Sequence, residues 1–263
     1  NSTHYQFLLD AGRAAQEEGL QCYLVGGYVR DLLLNRDSSD IDLMVEGDAI
    51  SFSHSLARRL KGATVVEFKE FSTARLIQNE LEIEIASARK ESYSKDSRNP
   101  DVTLTTFQDD MSRRDFTVNA IAASILPDTF GELHDPFGGI KDLQKGLLIT
   151  PLDPDSTFDD DPLRMLRAIR FSSQLGFDIA PNLIDSIKRK ARRIDIISWE
   201  RITSEIKKIL QSDKPSVGLY QLRDTGLLDI ILPEFSIMGG VEIIDNMGHK
   251  DVFIHTLEVV DNA

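Results

Sequence analysis

The 263-residue sequence lacks the features that would place it outside the cell or in a membrane. Its only cysteine is Cys22, which excludes an internal disulfide and favours a reducing compartment. No apolar run reaches the ~20 residues that a membrane span needs, and no secretory signal peptide is recognisable. The sequence therefore predicts a cytoplasmic protein that neither spans a membrane nor binds one.

A surplus of positive charge is lacking as well. The sequence has 30 Lys and Arg residues against 43 Asp and Glu residues, a formal net charge of −13. Domains that bind nucleic acid by charge alone are usually basic, so this simple mode of binding is disfavoured. Residues 186–210 are an exception, because basic side chains there outnumber acidic ones. They could bind phosphates or form a solvated helix face, and the pattern leaves both interpretations open.

Secondary-structure signals change character along the chain. Up to about residue 150, short β-branched runs alternate with amphipathic segments, which is typical of a mixed sheet covered by helices. Beyond Pro151 the signals are almost entirely helical. The polar segment 92–101 is expected to be a loop. The predicted strands are 22–25, 40–45, 63–68, 73–78, 81–87 and a pair within 123–134, and the predicted helices are 3–18, 28–34, 49–60, 161–174, 182–190 and 199–211.

This change indicates an α+β protein with three parts. We predict a domain with a mixed sheet and helices at residues 1–145. An all-α domain is predicted at 146–212, followed by the start of a further helical region at 213–263.

Two acidic residues flank an apolar one in the predicted strand 40–45. Alternate residues of a strand share a face, so Asp40 and Asp42 point one way while Ile41 points into the core. Mg²⁺ commonly combines one or two carboxylates with substrate phosphates, which makes this pair a candidate metal site. A paired-metal site would support in-line displacement at a phosphate. The same pattern also occurs on solvated strands and in turns.

A double glycine precedes the acidic pair. Gly26 and Gly27 lie between a predicted strand and a predicted helix, where backbone N–H groups can approach a phosphate. Arg30 could bind a triphosphate through charge-assisted hydrogen bonds. The alternative is an ordinary turn followed by a surface arginine.

A third carboxylate is expected on a neighbouring strand. Glu82 and Glu84 share one face of the predicted strand 81–87. Glu84 lies deeper in the strand and is the candidate catalytic residue. Glu82 lies near the turn and is expected to be solvated.

Six short segments form an ordered set over residues 23–210. They are 24–31 (LVGGYVRD), 40–42 (DID), 113–120 (RRDFTVNA), 135–139 (DPFGG), 160–171 (DDPLRMLRAIRF) and 200–202 (ERI). Together they resemble the bacterial-type (class II) tRNA nucleotidyltransferases and poly(A) polymerases, within the polymerase-β-like nucleotidyltransferase superfamily.

The resemblance implies a small catalytic head, in which Asp40 and Asp42 bind the metal, followed by a helical neck that binds the incoming nucleotide. It implies nucleotide contacts from Gly27 and Arg30. It also implies that Arg114 and Asp115 shape the ribose and triphosphate pocket, which Asn119 supports. The glycines of 135–139 would be structural or hinge residues that link head and neck.

The segment 160–171 suggests how a base could be read. Asp161 and Arg164 are three residues apart and would share one face of a helix. A carboxylate accepts hydrogen bonds and a guanidinium donates them, which matches the pairing edges of cytosine and adenine. Uracil and guanine would leave buried groups unpaired, so the pair is predicted to select CTP and ATP. Asp161 also precedes Pro162 and could be a helix N-cap, and both roles can coexist. Many relatives have Glu-Asp at this place, where this sequence has Asp160 and Asp161.

Arg167 and Arg170 follow at three-residue steps and are predicted to bind phosphates or to orient Asp161. Surface arginines are the alternative. Trp199, beside Ile196 and Ile197, is expected in the core rather than on RNA.

Residues 248–257 (GHKDVFIHTL) resemble the opening of a His-Asp (HD) phosphohydrolase domain. We therefore expect the sequence to be part of a longer protein, with His255 on a helix face rather than in a metal site.

The function that the resemblance implies is Mg²⁺-dependent addition of CMP and AMP, from CTP and ATP, to the 3′ end of tRNA. Addition of AMP alone by a poly(A) polymerase is the nearest alternative. An inactive nucleotide-binding module, or an accessory to an HD phosphohydrolase, is the alternative from another class. No protein partner is implied.

Overall fold

The computed structural model describes residues 2–38, 40–92, 101–238, 243–244, 247–248 and 251–263. These described residues form two compact units, one made of those up to Leu143 and the other of those from Gln144 to Ala263. The division of the second unit at residue 212 stays a prediction. The predicted loop at 92–101 lies, but for its two end residues, outside the described part of the chain.

A mixed sheet forms the centre of the first unit. Seven strands follow the order β3-β4-β5-β2-β1-β8-β9, and β6 pairs with β7 separately. Neighbours in the large sheet are antiparallel except β2 and β5, which are parallel. The strands are β1 (Cys22–Val25), β2 (Ile41–Val45), β3 (Ala63–Phe68), β4 (Thr73–Gln78), β5 (Leu81–Ser87), β6 (Arg89–Ser92), β7 (Asp101–Leu104), β8 (Ala122–Ser124) and β9 (Leu133–His134).

Helices pack on this sheet, and two of them supply most of the helical residues of its main core. Apolar residues of α1 recur on one helical face and contact the inward residues of β2 and β5, among them Ile41 and Ile83. The second core helix, α3, starts at Asp48, whose carboxylate accepts hydrogen bonds from two backbone N–H groups. The helices of this unit are α1 (Ser2–Glu17), α2 (Gly27–Leu33), α3 (Ala49–Arg59), α4 (Phe107–Ser112) and α5 (Gly139–Lys145).

The opposite face of the sheet is partly covered. Met111 of α4 packs there with Tyr23 of β1 and Met44 of β2 in a second apolar cluster. Alternation along β2 and β5 turns Ile41 and Ile83 to the first core and leaves Asp42 on the second face. The sheet thus separates the core from the predicted catalytic carboxylates.

The second unit is mainly helical. Its short strands β10 (Leu147–Leu148) and β11 (Asp178–Ile179) pair in parallel, and β12 (Ile243–Ile244) pairs with β13 (Met247–Gly248). Strands of two residues are too short to show a period in the sequence, so the prediction of an all-α region missed them. The helices are α6 (Pro154–Asp160), α7 (Leu163–Leu175), α8 (Pro181–Lys190), α9 (Trp199–Leu210), α10 (Pro215–Asp224), α11 (Leu227–Ile231), α12 (Pro233–Ser236) and α13 (Val252–Asp261).

The predicted fold class, a mixed sheet with helices followed by a helical region, is confirmed. None of the helices in the described ranges is long and apolar enough to cross a membrane.

Candidate active site

Two of the predicted catalytic carboxylates lie level on neighbouring strands. The parallel register of β2 and β5 pairs Asp42 with Glu84, so both side chains project from the same face. Asp40 is exposed and lies immediately before the first residue of β2. Within the described ranges, no three or more His, Cys, Asp or Glu side chains are grouped closely enough to hold a metal together. The site therefore offers a pair of carboxylates with a third one nearby.

Asp42 is short of compensating positive charge. Burial is the main reason why its pKa rises from the ordinary 3.8 to about 6, and Glu84 and Asp40 raise it further. Arg114 lowers the pKa but does not restore the ordinary value. A bound cation would favour the charged carboxylate, so this environment and its hard oxygen donors fit a divalent metal ion.

The turn between β1 and α2 has to be glycine. Gly26 has a φ of 73° and a ψ of −140°, a conformation that side chains rarely adopt. A Cβ atom there would lie 3.4 Å from Nη1 of Arg114 and 3.6 Å from Oδ2 of Asp42. The bare backbone thus lies directly beside the acidic site, where a substrate phosphate could approach it.

Arg114 is positioned by a buried carboxylate that the sequence analysis missed. Asp110 is 1% exposed, and its Oδ2 accepts hydrogen bonds from Nε and Nη2 of Arg114 at 3.3 and 3.0 Å. Its Oδ1 accepts from Arg113, with the shortest contact at 2.5 Å. Burial alone would raise the pKa of Asp110, but Arg114 and Arg113 outweigh it and lower the pKa. The only signal in the sequence is the spacing of three and four residues along a helix.

Arg30, predicted to bind the triphosphate, lies in a buried network. Its guanidinium donates to both carboxylate oxygens of Asp31, at 2.8 and 3.0 Å, and to Oδ1 of Asn119 at 2.7 Å. Asn119 in turn donates to Asp115 at 3.0 Å. The network ties α2 to the segment that carries Arg114, and a direct contact of Arg30 with phosphate stays a prediction. Gly27 packs against the guanidinium of Arg30, since a Cβ atom at Gly27 would lie 3.5 Å from Nη2 of Arg30.

In the second unit, Asp161 does not lie on a helix as the sequence suggested. It follows α6 with extended backbone angles, φ −140° and ψ 101°, and α7 starts only after Pro162. Its Oδ1 accepts a hydrogen bond from the N–H of Leu163 at 3.1 Å. Its Oδ2 accepts from Nη2 of Arg201 at 2.9 Å. The carboxylate therefore caps α7 from outside the helix. Asp161 and Arg164 do not share a helical face, so a common role would have to rest on another arrangement.

The three arginines of α7 have different surroundings. Arg164 is only 8% exposed, and its backbone N–H donates to the carbonyl of Asp161 at 3.0 Å. Arg167 is half-buried, with its guanidinium 5.4 Å from the ring centroid of Phe171. Arg170 is buried, and its Nε lies 2.7 Å from Oε2 of Glu205, although the two atoms are not aligned as a hydrogen bond. Nucleotide binding by these arginines stays a prediction.

Much of the basic segment 186–210 pairs with acidic residues of the same unit. Arg189 lies 2.7 Å from Asp155, and Lys190 lies 2.6 Å from Asp159. Trp199 is 58% exposed at the start of α9, so its predicted place in the core is wrong. Trp199 is the first residue of α9, after the N-cap Ser198, and its apolar neighbours in sequence do not reveal this exposed position.

The end of the chain is described only in part. His249 lies outside the described residues, and His255 is exposed on α13. The carboxylate of Asp251 caps that helix by accepting from the N–H of Ile254 at 3.1 Å. An exposed helix position for His255 is what the sequence led us to expect.

The fold and the site define a nucleotidyltransferase head followed by a helical unit. The family described as "Poly A polymerase head domain" matches residues 22–149, and "Probable RNA and SrmB- binding site of polymerase A" matches residues 176–238. The chain belongs to the class II family of CCA-adding enzymes and poly(A) polymerases. Membership implies dependence on a divalent metal ion.

Individual relatives agree with this assignment. An A-adding tRNA nucleotidyltransferase of Aquifex aeolicus is 40% identical over 219 residues, 82% of this chain and 26% of the relative. A CCA-adding enzyme of Geobacillus sp. is 37% identical over 270 residues, 98% of this chain and 64% of the relative. A crystal structure of a tRNA nucleotidyltransferase complexed with a primer tRNA and an incoming ATP analog has a TM-score of 0.75 at 33% identity, covering 87% of this chain and 66% of that one. The chain thus spans about a quarter to two thirds of these relatives.

Proposed function

We propose that the chain is the catalytic part of an RNA nucleotidyltransferase that adds CMP and AMP, from CTP and ATP, to the 3′ end of tRNA. The observation that carries the proposal is the level pair of Asp42 and Glu84 beside the Gly26 turn and Arg114. The names of the relatives supply the reaction and the RNA substrate. A cytoplasmic location agrees with this function and stays a prediction.

In the head, Asp40 and Asp42 would hold Mg²⁺, with Glu84 as the third carboxylate of the site. The metal would stabilise the charge that develops on the attacking 3′-hydroxyl oxygen and on the leaving pyrophosphate. The bare backbone at Gly26 and the guanidinium of Arg114 would position the triphosphate, with Asp110 holding the guanidinium in place. The RNA 3′-hydroxyl would lose its proton to water and its oxygen would bond to the α-phosphorus, while the bond from that phosphorus to the bridging β-phosphate oxygen breaks and pyrophosphate leaves.

Selection of the nucleotide would take place at Asp161 and Arg164. Two bonds already occupy the carboxylate of Asp161, yet an ionised carboxylate has about four lone-pair sites. It can therefore accept from the exocyclic amine of cytosine or adenine while it still caps α7. Arg164 would donate to the adjacent ring nitrogen, and Arg167 and Arg170 would bind phosphates or hold this region in shape. The Asp160 side chain is not needed for this scheme.

RNA binding would involve the second unit, since the region matched to an RNA-binding site covers residues 176–238. That region contains the exposed ring of Trp199. It also contains the basic segment 186–210, of which Arg189, Lys190, Arg193, Arg201 and Lys208 contact acidic side chains. An aromatic ring among cations is a common way to bind single-stranded nucleic acid.

Addition of A alone is the second candidate, because the Aquifex relative is named for that activity. The experiment is incubation of the chain with Mg²⁺, one nucleoside triphosphate at a time, and tRNA that lacks CCA or lacks only the final A. Addition of two C residues and then A supports the proposal. Addition of A only to tRNA that already ends in CC supports the second candidate. A long A tail indicates a poly(A) polymerase, and no product with any RNA contradicts all three.

A further inference from the structure

One half of the catalytic face of the sheet is open. Over β1 and β2 the face is filled by the cluster around Met44 and Met111. Over β3 the side chains on the same face are exposed, with Val66 at 45% and Phe68 at 38%. The opposite face belongs to the main core through Leu76 of β4 and Ile83 and Ile85 of β5, and at the start of β3 through Ala63, so the exposed half is not simply the outside of a thin sheet.

The strand register connects this open half to the carboxylates. Val66 pairs with Arg75, Arg75 pairs with Glu84, and Glu84 pairs with Asp42. Paired residues share a face, and neighbouring strands are ~4.8 Å apart, so the backbone of β4 lies about 10 Å and that of β3 about 14 Å from β2. The open surface therefore begins at the catalytic site and continues away from it along this row, while Thr73 in the next row is buried.

Aromatic rings and guanidinium groups lie together on this surface. The guanidinium of Arg75 lies 5.8 Å from the ring centroid of Phe68. Phe71, in the turn between β3 and β4, is also exposed. The guanidinium of Arg89 donates to the hydroxyl of Thr73 at 3.0 Å, one row further along the same face.

The acidic side chains near the open face do not neutralise the positive charge of its arginines. Glu82 contacts Arg75 at 3.5 Å, and both side chains are exposed, so the contact is weak. Glu67 points to the other side of β3 and contacts His54 at 2.7 Å. Arg75 can therefore exchange its carboxylate partner for a phosphate.

We propose that this open sheet face, centred on Phe68 and Arg75, binds the last nucleotides of the RNA strand whose 3′-hydroxyl attacks beside Asp42. The inference rests on the proposed function. Reacting atoms must approach to ~3–3.5 Å, so the end of the RNA has to lie on a surface that continues from the carboxylates. An aromatic ring stacks on any base, and an arginine beside it adds cation–π and phosphate contacts. Such a surface holds a strand whose last bases change with each addition.

Steady-state kinetics with tRNA that lacks its 3′-terminal A, plus ATP, tests the proposal. Phe68→Ala should raise KM for the tRNA about tenfold, because stacking on one ring is lost, while KM for ATP stays the same. Phe68→Tyr keeps the ring and should behave like the parent. Arg75→Gln should weaken RNA binding and lower the slope of log affinity against log salt by about 0.7. Tyr5→Ala is the matched control, since Tyr5 is an exposed aromatic residue of α1 on the other side of the sheet.

A titration that does not depend on turnover separates this inference from the proposed function. The probe is an RNA with 2-aminopurine as its 3′-terminal base, whose fluorescence decreases when the base stacks. The parent and Phe68→Tyr should quench it, and Phe68→Ala should not. Phe68→Leu replaces the alanine variant if thermal unfolding shows that the latter does not fold.

Each combination of results decides one of the two ideas. If the parent adds AMP, and Phe68→Ala matches it in KM for tRNA and in quenching, the open face does not bind RNA and the proposed function stands. If the parent adds no nucleotide to any RNA but quenching requires the ring, the surface binds RNA and the function is wrong. If the parent neither adds a nucleotide nor quenches the fluorescence, both the proposed function and RNA binding by the open face are wrong.

Discussion

The head and the helical unit treat buried charge in opposite ways. In the head, Asp42 lies beside Glu84 and Asp40, and its pKa rises to about 6 because burial and these neighbours leave it under-compensated. In the helical unit, Asp161 is already bonded to Arg201, and Arg170 already lies against Glu205. An unbalanced cluster needs a cation to complete it, whereas a balanced one is ready to form directional hydrogen bonds. This difference supports the proposal that the head carries the chemistry and that the helical unit reads the base.

The largest effect is expected where the charge is unbalanced. Asp42→Asn keeps the shape of the side chain but removes an anionic metal ligand, so nucleotide addition should fall by about a thousandfold or more. The fold should not suffer, because the buried charge is itself unfavourable. Turnover is measured with tRNA and ATP, and unfolding by denaturant provides the check on stability. Near-normal turnover of a folded variant would contradict the metal assignment.

Asp110, like Arg30 with Asp31, is a charged residue of the head that has partners of opposite charge, and replacing it tests whether its carboxylate positions Arg114. Asp110→Asn leaves two arginine side chains facing a neutral group, and breaking a buried pair typically costs about 3–5 kcal/mol. KM for ATP should rise, since the guanidinium is no longer held beside Gly26. Denaturant unfolding and kinetics report the two effects separately.

A neighbouring residue provides the control for that experiment. Asp109 lies on the same helix and is exposed, and its carboxylate accepts hydrogen bonds from the hydroxyls of Thr105 and Thr106, so Asp109→Asn makes the same chemical change at a cost of only about 1 kcal/mol. Equal losses in the two variants would mean that Asp110 acts through net charge and not through its contacts with Arg114.

The contrast between the units follows only in part from the sequence. The predicted ranges of β3, β4 and β5 match the structure, because each strand is a β-branched run bounded by turn residues. The strand period placed Glu82 and Glu84 on one face, and of the two it is Glu84 that the structure pairs with Asp42. Local pattern was enough there, since alternation decides which face a side chain occupies.

Features that depend on tertiary contacts could not be predicted. Asp110 is buried only because two arginines surround it, and an Asp in sequence is normally expected on the surface. Asp161 was placed at the start of the predicted helix 161–174, whereas α7 starts only at Leu163 and Asp161 keeps extended backbone angles. The partner of Asp161, Arg201, lies 40 residues away, beyond the reach of any local pattern.

The pH dependence of stability gives a smaller effect that needs no turnover. Because the folded head raises the pKa of Asp42 from 3.8 to about 6, protonation of this group favours folding. Its contribution, about 3 kcal/mol, is fully present below about pH 4 and is lost as the pH rises through about 6. Between pH 4 and pH 8, the free energy of unfolding of the parent, measured with denaturant, should therefore decline by an amount that Asp42→Asn lacks. The same pH dependence in the two proteins would contradict the charge imbalance.

Mg²⁺ provides a second measurement on the same two proteins. At pH 7.5 it should raise the melting temperature of the parent more than that of the variant.

The smallest effect is expected in the balanced unit, where a change should alter selectivity and leave stability nearly intact. Asp161→Asn can keep an oxygen that accepts from the N–H of Leu163, so α7 remains capped. Its amide, however, turns a donor toward the amine of the base. Preference for ATP and CTP over UTP and GTP should fall by about ten- to a hundredfold, because one hydrogen bond in a closed pocket is lost. Single-turnover addition with each nucleoside triphosphate measures this preference.

The variant Arg201→Met distinguishes recognition of the base by Asp161 from positioning of the Asp161 carboxylate by Arg201. It removes the ion pair but leaves the Asp161 carboxylate, and a pair this exposed contributes only about 0.2–1 kcal/mol. If Asp161 reads the base, this variant should retain most of the preference for ATP and CTP while Asp161→Asn loses it. If Asp161→Asn folds normally and still rejects UTP as strongly as the parent, the carboxylate is only a cap. Loss of selectivity in Arg201→Met alone would assign the reading to the geometry that Arg201 maintains, and the helical unit would then depend on its charge balance as much as the head depends on its imbalance.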